Sequence, residues 1–247
     1  MSARSLATAL AADVVAPTAL LEASDVTFLA VPDREITSAA AELARLAPVG
    51  GGRLVVHLSG SAGPELLQPL AERGYVIGAI HPLQVLSGWR IPPGTSFAIE
   101  ADAAVLPLLS RLVADLNGVE ISLPAGARVP YHAAAVLAAN LGMAMLAEAV
   151  DLMAAAGVDR RQALDGLSGL VRGGLEASLE AGLPEALTGP IVRGDVDTVR
   201  RHLDAIALDR DLVAAYKATS RLALRQARSL GRPSAAAAAA IARVLED

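Results

Sequence analysis

The chain contains no cysteine, and aromatic residues make up only 2% of its 247 positions. Without cysteine there is no disulfide, no thiolate metal ligand and no cysteine nucleophile. With so few aromatics, the core must be built from Ala, Leu and Val. Positive charge is also scarce: the formal net charge is −5, and Lys217 is the only lysine. A nucleic-acid binder would show a basic face and stacking aromatics, and neither is present. Long apolar runs are missing as well. The best candidate, His132 to Met153, is interrupted by Asn140, Glu148 and Asp151. It falls short of the ~18 uninterrupted apolar residues of a spanning helix, so a buried helix of a soluble protein is expected there. Met1 to Ala12 lacks the apolar stretch and cleavage site of a signal peptide. The expectation is a cytoplasmic protein with no membrane and no nucleic-acid partner.

What is present is a core. Hydrophobic residues reach 53% and charged residues only 19%, which argues against disorder. Up to about Ser122, short apolar runs alternate with helical stretches. Asp25–Val31, Arg53–Leu58, Tyr75–Ile80, Thr95–Glu100 and Val119–Ser122 read as strands. Ile36–Leu46, Glu65–Arg73 and Ala103–Leu116 read as helices. That alternation predicts an α/β fold with a mainly parallel sheet. After Pro124 the strand signal stops. Tyr131–Ala156 reads as one helix, Asp159 caps another that runs to Gly173-Gly174, and Leu183–Gly194 reads as loop. Helices over Asp195–His202, Asp211–Leu230 and Ser234–Leu245 complete a helical half. The expected division is therefore residues 1–123, a nucleotide-binding-type sheet domain, and 124–247, an all-helical domain.

In open α/β sheets ligands bind beyond the carboxyl ends of the strands. Three strands end in polar or turn-forming clusters: Val31-Pro32-Asp33, His57-Leu58-Ser59-Gly60 and His81-Pro82-Leu83-Gln84. Each alone is ordinary turn chemistry; three on successive strands would converge on one rim. Of the four histidines, His202 beside Arg200 and Arg201 reads as a surface residue. His57, inside a strand, reads as buried and structural, holding a loop backbone. His81 at a strand end is the stronger candidate for acid–base work. His132, Val136 and Asn140 fall at i, i+4 and i+8, on nearly one helical stripe. In Leu187–Asp195, Gly and Pro fix the shape around Arg193, which suits a carboxylate or an acidic neighbour. No histidine spacing suggests a metal site.

The ordered set VPD, HLSG, HPLQ, YHAAAVLAAN and LTGPIVRGD, followed by a His and a Tyr, resembles the Rossmann-like proteins with a DUF2520 C-terminal domain. The resemblance runs from Ser24 to Leu224. It implies a truncated Rossmann-like sheet followed by a helical, dimer-forming domain. The family is similar to the pyrroline-5-carboxylate, ketopantoate and 6-phosphogluconate reductases and dehydrogenases. The implied function is NADP- or NAD-dependent reduction of a small 2-oxo acid or imine. The alternative is a non-catalytic dimeric binding or assembly protein. By position, Val31, Pro32 and Asp33 would line the cofactor's path, and Ser59, Gly60, His81 and Pro82 would lie near its nicotinamide. His132 and Asn140 would face it, and Thr188 and Arg193 would hold the substrate. Two departures stand out. Where the wider group carries a lysine this chain has Val136, so His132 or His81 must supply any proton. No GxGxxG turn precedes Asp25, so the unit that seats a pyrophosphate is absent. A natural protein longer than the chain from Met1, and an open edge at the first strand, are the expectations that follow.

Overall fold

A computed structural model of the chain describes residues 3–85 and 91–246; Met1 lies outside them. The chain divides into two compact units, Met1–Gly142 and Met143–Asp247.

The first unit is built on a five-stranded sheet. Its strands are β1 (Val26–Leu29), β2 (Leu54–His57), β3 (Val76–Pro82), β4 (Ser96–Ala101) and β5 (Val119–Ser122). They lie side by side in sequence order, parallel except where β4 runs antiparallel to β3. Two short helices, α1 (Ala3–Leu10) and α2 (Pro17–Ala23), precede β1. Helix α3 (Ile36–Leu46) links β1 to β2, and a 3-10 turn (Pro64–Leu67) continuing into α4 (Gln68–Ala71) links β2 to β3. Right-handed crossovers that advance in one direction place both connections on one face. That face packs Leu29 and Val55 against Ile36, Ala40, Leu67 and Leu70. Because β4 reverses, the crossover helix α5 (Leu106–Asp115) covers the opposite face, where Leu54, Val56, Ile80, Phe97 and Ile99 meet Leu109 and Val113. Strand β2 feeds both layers by alternation and is buried at all four positions, as a strand covered on both faces must be. Among the described strands β1 pairs only with β2, so it is the open edge expected at the first strand.

The long helix opens at Arg128. Helix α6 (Arg128–Ala135) passes through a π-helical segment (Val136–Leu141) into α7 (Gly142–Ala155). Here the structure corrects the expectation of a buried helix. The stretch Arg128–Ala155 is long and apolar enough to cross a membrane, with mean hydropathy 1.7 over its best window, yet only 6% of that window is buried. Leu137, Leu141, Met143 and Leu152 are exposed.

The second unit holds α7 and the helices after it. Asp159 caps α8 (Arg160–Ala181), accepting from the Arg161 and Gln162 backbone N–H groups. This helix does not stop at Gly173-Gly174 but continues to Ala181. Two interior glycines lower helix propensity by about 1 kcal/mol each without removing a hydrogen bond. The expected loop over Leu183–Gly194 contains two single-turn helices, α9 (Leu183–Ala186) and α10 (Pro190–Arg193). Each carries proline in its first turn, where the missing N–H is no loss. Asp195 caps α11 (Val196–Ala205) and Asp209 caps α12 (Arg210–Ser229). With α13 (Ala235–Glu246) they enclose Ile191, Val199, Leu224, Ile241 and Leu245. Gly194 is left-handed (φ 74°), and a Cβ there would sit 2.7 Å from Ala237. Both the turn and the packing therefore require glycine.

Candidate functional site: the rim of β1, β2 and β3

Because β1, β2 and β3 are parallel, their carboxyl ends share one rim. The first layer of that rim is a polar lattice. Ser59 Oγ donates to Asp33 Oδ2 at 2.6 Å, and Ser61 Oγ donates to the same oxygen at 3.1 Å. The backbone N–H groups of Ser61 and Ala62 donate to Ser59 Oγ, each at 3.2 Å. Asp33 and Ser59 thus tie the end of β1 to the loop after β2. Val31 and Pro32 are exposed beside them.

His57 is fully buried, and both of its nitrogens are used. The Ser59 backbone N–H donates to Nδ1 at 3.2 Å, so Nε2 carries the proton and donates to the Gly63 carbonyl at 2.8 Å. Burial, the largest influence, holds its pKa below the usual histidine value. It clamps the loop backbone, as its place inside a strand predicts.

Arg128 was not legible in advance. It is 2% exposed and stands at the head of α6. Its Nε donates to Glu100 Oε2 at 3.0 Å. Its terminal nitrogens donate to the carbonyls of Ser59 (3.1 Å), Ala79 (2.9 Å) and Ala98 (3.4 Å). One guanidinium fork therefore joins the ends of β2, β3 and β4 to the helix, a task that suits arginine's fixed planar donors. It brings Tyr131 and His132, the next residues but two and three, over the end of β3.

There the chemistry collects. His81 Nδ1 lies 2.8 Å from the Tyr131 hydroxyl. The His81 and His132 rings meet edge to face, centroids 6.0 Å apart. His132 Nδ1 is buried and has no hydrogen-bond partner among the described residues. Gly60 faces both rings: a Cβ on it would lie 2.7 Å from His132 Nδ1 and 2.9 Å from His81 Nε2. Any side chain at residue 60 would push into the space between two imidazole nitrogens. Burial first, then the electrostatic influence of the neighbouring His132 and of the Arg128 guanidinium, push the His81 pKa down to about 4, with Asp33 acting the other way. His81 is neutral at pH 7.

The pair opens on a cavity of about 680 Å³. His81, Gln84, Tyr131, His132 and Asn140 supply its polar groups, and Val136 with several alanines supplies apolar wall. The stripe His132, Val136, Asn140 does line one space, but the helix bearing it is π-wound from Val136 to Leu141. Such segments interrupt α-helices frequently at functional sites; nothing in the alanine-rich pattern announces it. Thr188 and Arg193 belong to the second unit, where both are exposed. No group of three or more metal-ligating side chains occurs among the described residues.

The fit to a dinucleotide is divided. Two imidazoles converging beside a glycine, one nitrogen left unpartnered, suit the reactive end of a nicotinamide and its substrate. The pyrophosphate end has no counterpart. No GxGxxG occurs in the chain, the described strands run in sequence order with no reversal to form a switch-point crevice, and the Asp33 carboxylate stands at the end of β1.

A family model described as a domain of unknown function (DUF2520) matches residues 95–223, and one described as a Rossmann-like domain matches residues 3–82. No match was found among the curated proteins. Several solved structures are similar. A proposed NADP oxidoreductase from Bacteroides fragilis is 22% identical, with a TM-score of 0.70 over 91% of this chain and 85% of its own. A protein from Thermotoga maritima is 24% identical, with a TM-score of 0.69 over 93% and 88%. The pyrroline carboxylate reductase of Plasmodium falciparum, solved with NADP bound, is 13% identical, with a TM-score of 0.59 over 87% and 81%. At such identities the likeness establishes the fold: a Rossmann-like sheet followed by helices.

Proposed function

The chain belongs to the DUF2520 family, and from that premise we propose that it is an NAD(P)H-dependent reductase of a small carbonyl or imine compound, a 2-oxo acid of the ketopantoate type or a cyclic imine. The observation that carries this reading is the pairing of His81 and His132, rings edge to face with centroids 6.0 Å apart, on the wall of one cavity with Asn140. A carbonyl or imine compound held in that cavity would have two imidazoles and a carboxamide on its walls. The similarity to a reductase with NADP bound supports the same class.

When bound, the nicotinamide supplies the hydride. The chain's own residues then have distinct tasks. His81, neutral at working pH, serves as a hydrogen-bond donor to the polarised atom rather than as an imidazolium acid. His132, on the same wall, delivers the proton. Asn140 orients the substrate from the far wall. Val31, Pro32, Asp33, Ser59 and Pro82 border the cofactor.

A homodimer through the exposed apolar helix completes the reading. Contiguous apolar surface on that scale is covered in a soluble protein. Glu148 and Asp151 on the same helix disfavour a bilayer as the cover, at about 2.5–3.5 kcal/mol for an acidic residue at mid-membrane. Light scattering should give a dimer mass; a monomer at micromolar concentration contradicts it. The activity test follows oxidation of NADPH and NADH with panels of 2-oxo acids and cyclic imines. Turnover that disappears in His132→Ala supports the reductase. A folded dimer that neither binds nor oxidises either cofactor favours the non-catalytic reading.

A further inference from the structure

We propose that Tyr131 is the positioning residue of this site: its phenol donates to His81 Nδ1 and thereby keeps the His81 proton on Nε2, the nitrogen turned toward Gly60 and His132. The inference rests on the reading of the cavity as a reaction site, but it concerns a proton observable without substrate or cofactor.

A neutral imidazole has one N–H and one bare nitrogen, and the partner of either decides which is which. Of the two His81 nitrogens, Nδ1 has the close partner, the Tyr131 hydroxyl at 2.8 Å. Two arrangements are possible. If Nδ1 carried the proton and gave it to the phenol oxygen, the phenol proton would have no protein acceptor among the described contacts. The bare Nε2 would then turn a lone pair, not a proton, toward Gly60 and His132. If the phenol donates, both groups are satisfied and Nε2–H is the group turned toward Gly60 and His132. A phenol O–H is the better donor and an sp² ring nitrogen the better acceptor, which selects the second arrangement. Burial holds the Tyr131 hydroxyl above its ordinary pKa, so it keeps the proton it donates. The same pattern of a fixed tautomer is already present one strand away, where the Ser59 N–H settles His57.

Position reinforces the assignment. Tyr131 and His132 are consecutive on α6, and the buried Arg128 anchors that helix to β3 and β4. One helical turn therefore carries the anchor, the group that sets His81 and the second imidazole. The two rings consequently present a matched pair: a donor on His81 and an unpartnered nitrogen on His132.

The test is the tautomer of His81 in ¹⁵N-labelled full-length protein, read from long-range ¹H–¹⁵N correlations at neutral pH, with Tyr131→Phe alongside. The expected result is a proton on Nε2 in the wild type and a mixture of tautomers in Tyr131→Phe, with turnover, where a substrate has been found, falling about 10-fold at little change in KM. A wild-type proton on Nδ1 overturns the proposal even if the variant fails to fold. So does an unchanged Nε2 tautomer in a folded Tyr131→Phe. A protein with the expected tautomers but no affinity for NADPH or NADH separates the two claims: the reductase reading falls and the role of Tyr131 stands.

Discussion

Strands β2 and β3 lie side by side and each ends in a histidine, yet the two rings have opposite fates. His57 pairs in register with Ala79, two residues short of His81, and is sealed under the loop it holds. Both of its nitrogens are committed to backbone groups. His81, two residues further along β3, lies beyond the end of β2 and pairs with Ala98 of β4; one nitrogen is held by Tyr131 and the other is left facing His132. The same residue type on adjacent strands is structural where its valences are filled and chemical where one is left over. A buried polar atom without a partner is costly, and His132 Nδ1 is such an atom among the described residues.

Removing the anchor that both histidine environments share should have the largest effect. Arg128→Met leaves Glu100 buried without its ion-pair partner, and urea denaturation should report a loss of about 3–5 kcal/mol; a loss below ~1 kcal/mol contradicts the role given to Arg128. The two histidines should then separate by assay. His132→Ala and His81→Phe should lower turnover by roughly 10²–10⁴-fold while leaving a folded dimer. His57→Phe should do the reverse, costing about 1–3 kcal/mol of stability by leaving the Gly63 carbonyl unpaired; equal stability losses at His57 and His81 would erase the distinction. The smallest effect is in pH. Both folded-state pKa values lie below the unfolded one, so the unfolded chain binds more protons in the acid range. Stability is therefore full above about pH 6.5, falls as the pH drops, and stops falling on account of His81 below about 4. His81→Phe should flatten part of that slope, measured by thermal unfolding across the range.

Much of this fold was readable because local pattern and tertiary role agree. Ile36–Leu46 begins and ends where its apolar period does, and all five strands appear where short apolar runs meet turn residues. The clamp made by His57 followed from a polar ring inside an apolar strand. What escaped were features with no local period. Arg128 is a single charge before a proline, and only the packed sheet ends give it four acceptors. The π-wound stretch arises in an Ala-Leu-Val sequence equally at ease as α-helix. Gly173-Gly174 weakens a helix without ending it. The apolar character of Arg128–Ala155 was legible, but periodicity tells that a face is apolar and not what covers it, so burial was expected where exposure is found.

The most direct test of the central claim is a calorimetric titration of the 247-residue chain with NADPH and NADH, run beside Gly60→Val. Saturable binding to the wild type is expected, and its loss in a folded Gly60→Val protein, whose added side chain meets both rings at under 3 Å and lowers stability by about 1–3 kcal/mol through overpacking. No binding to folded wild type, or binding that Gly60→Val leaves intact, would contradict a reaction site at the two histidines.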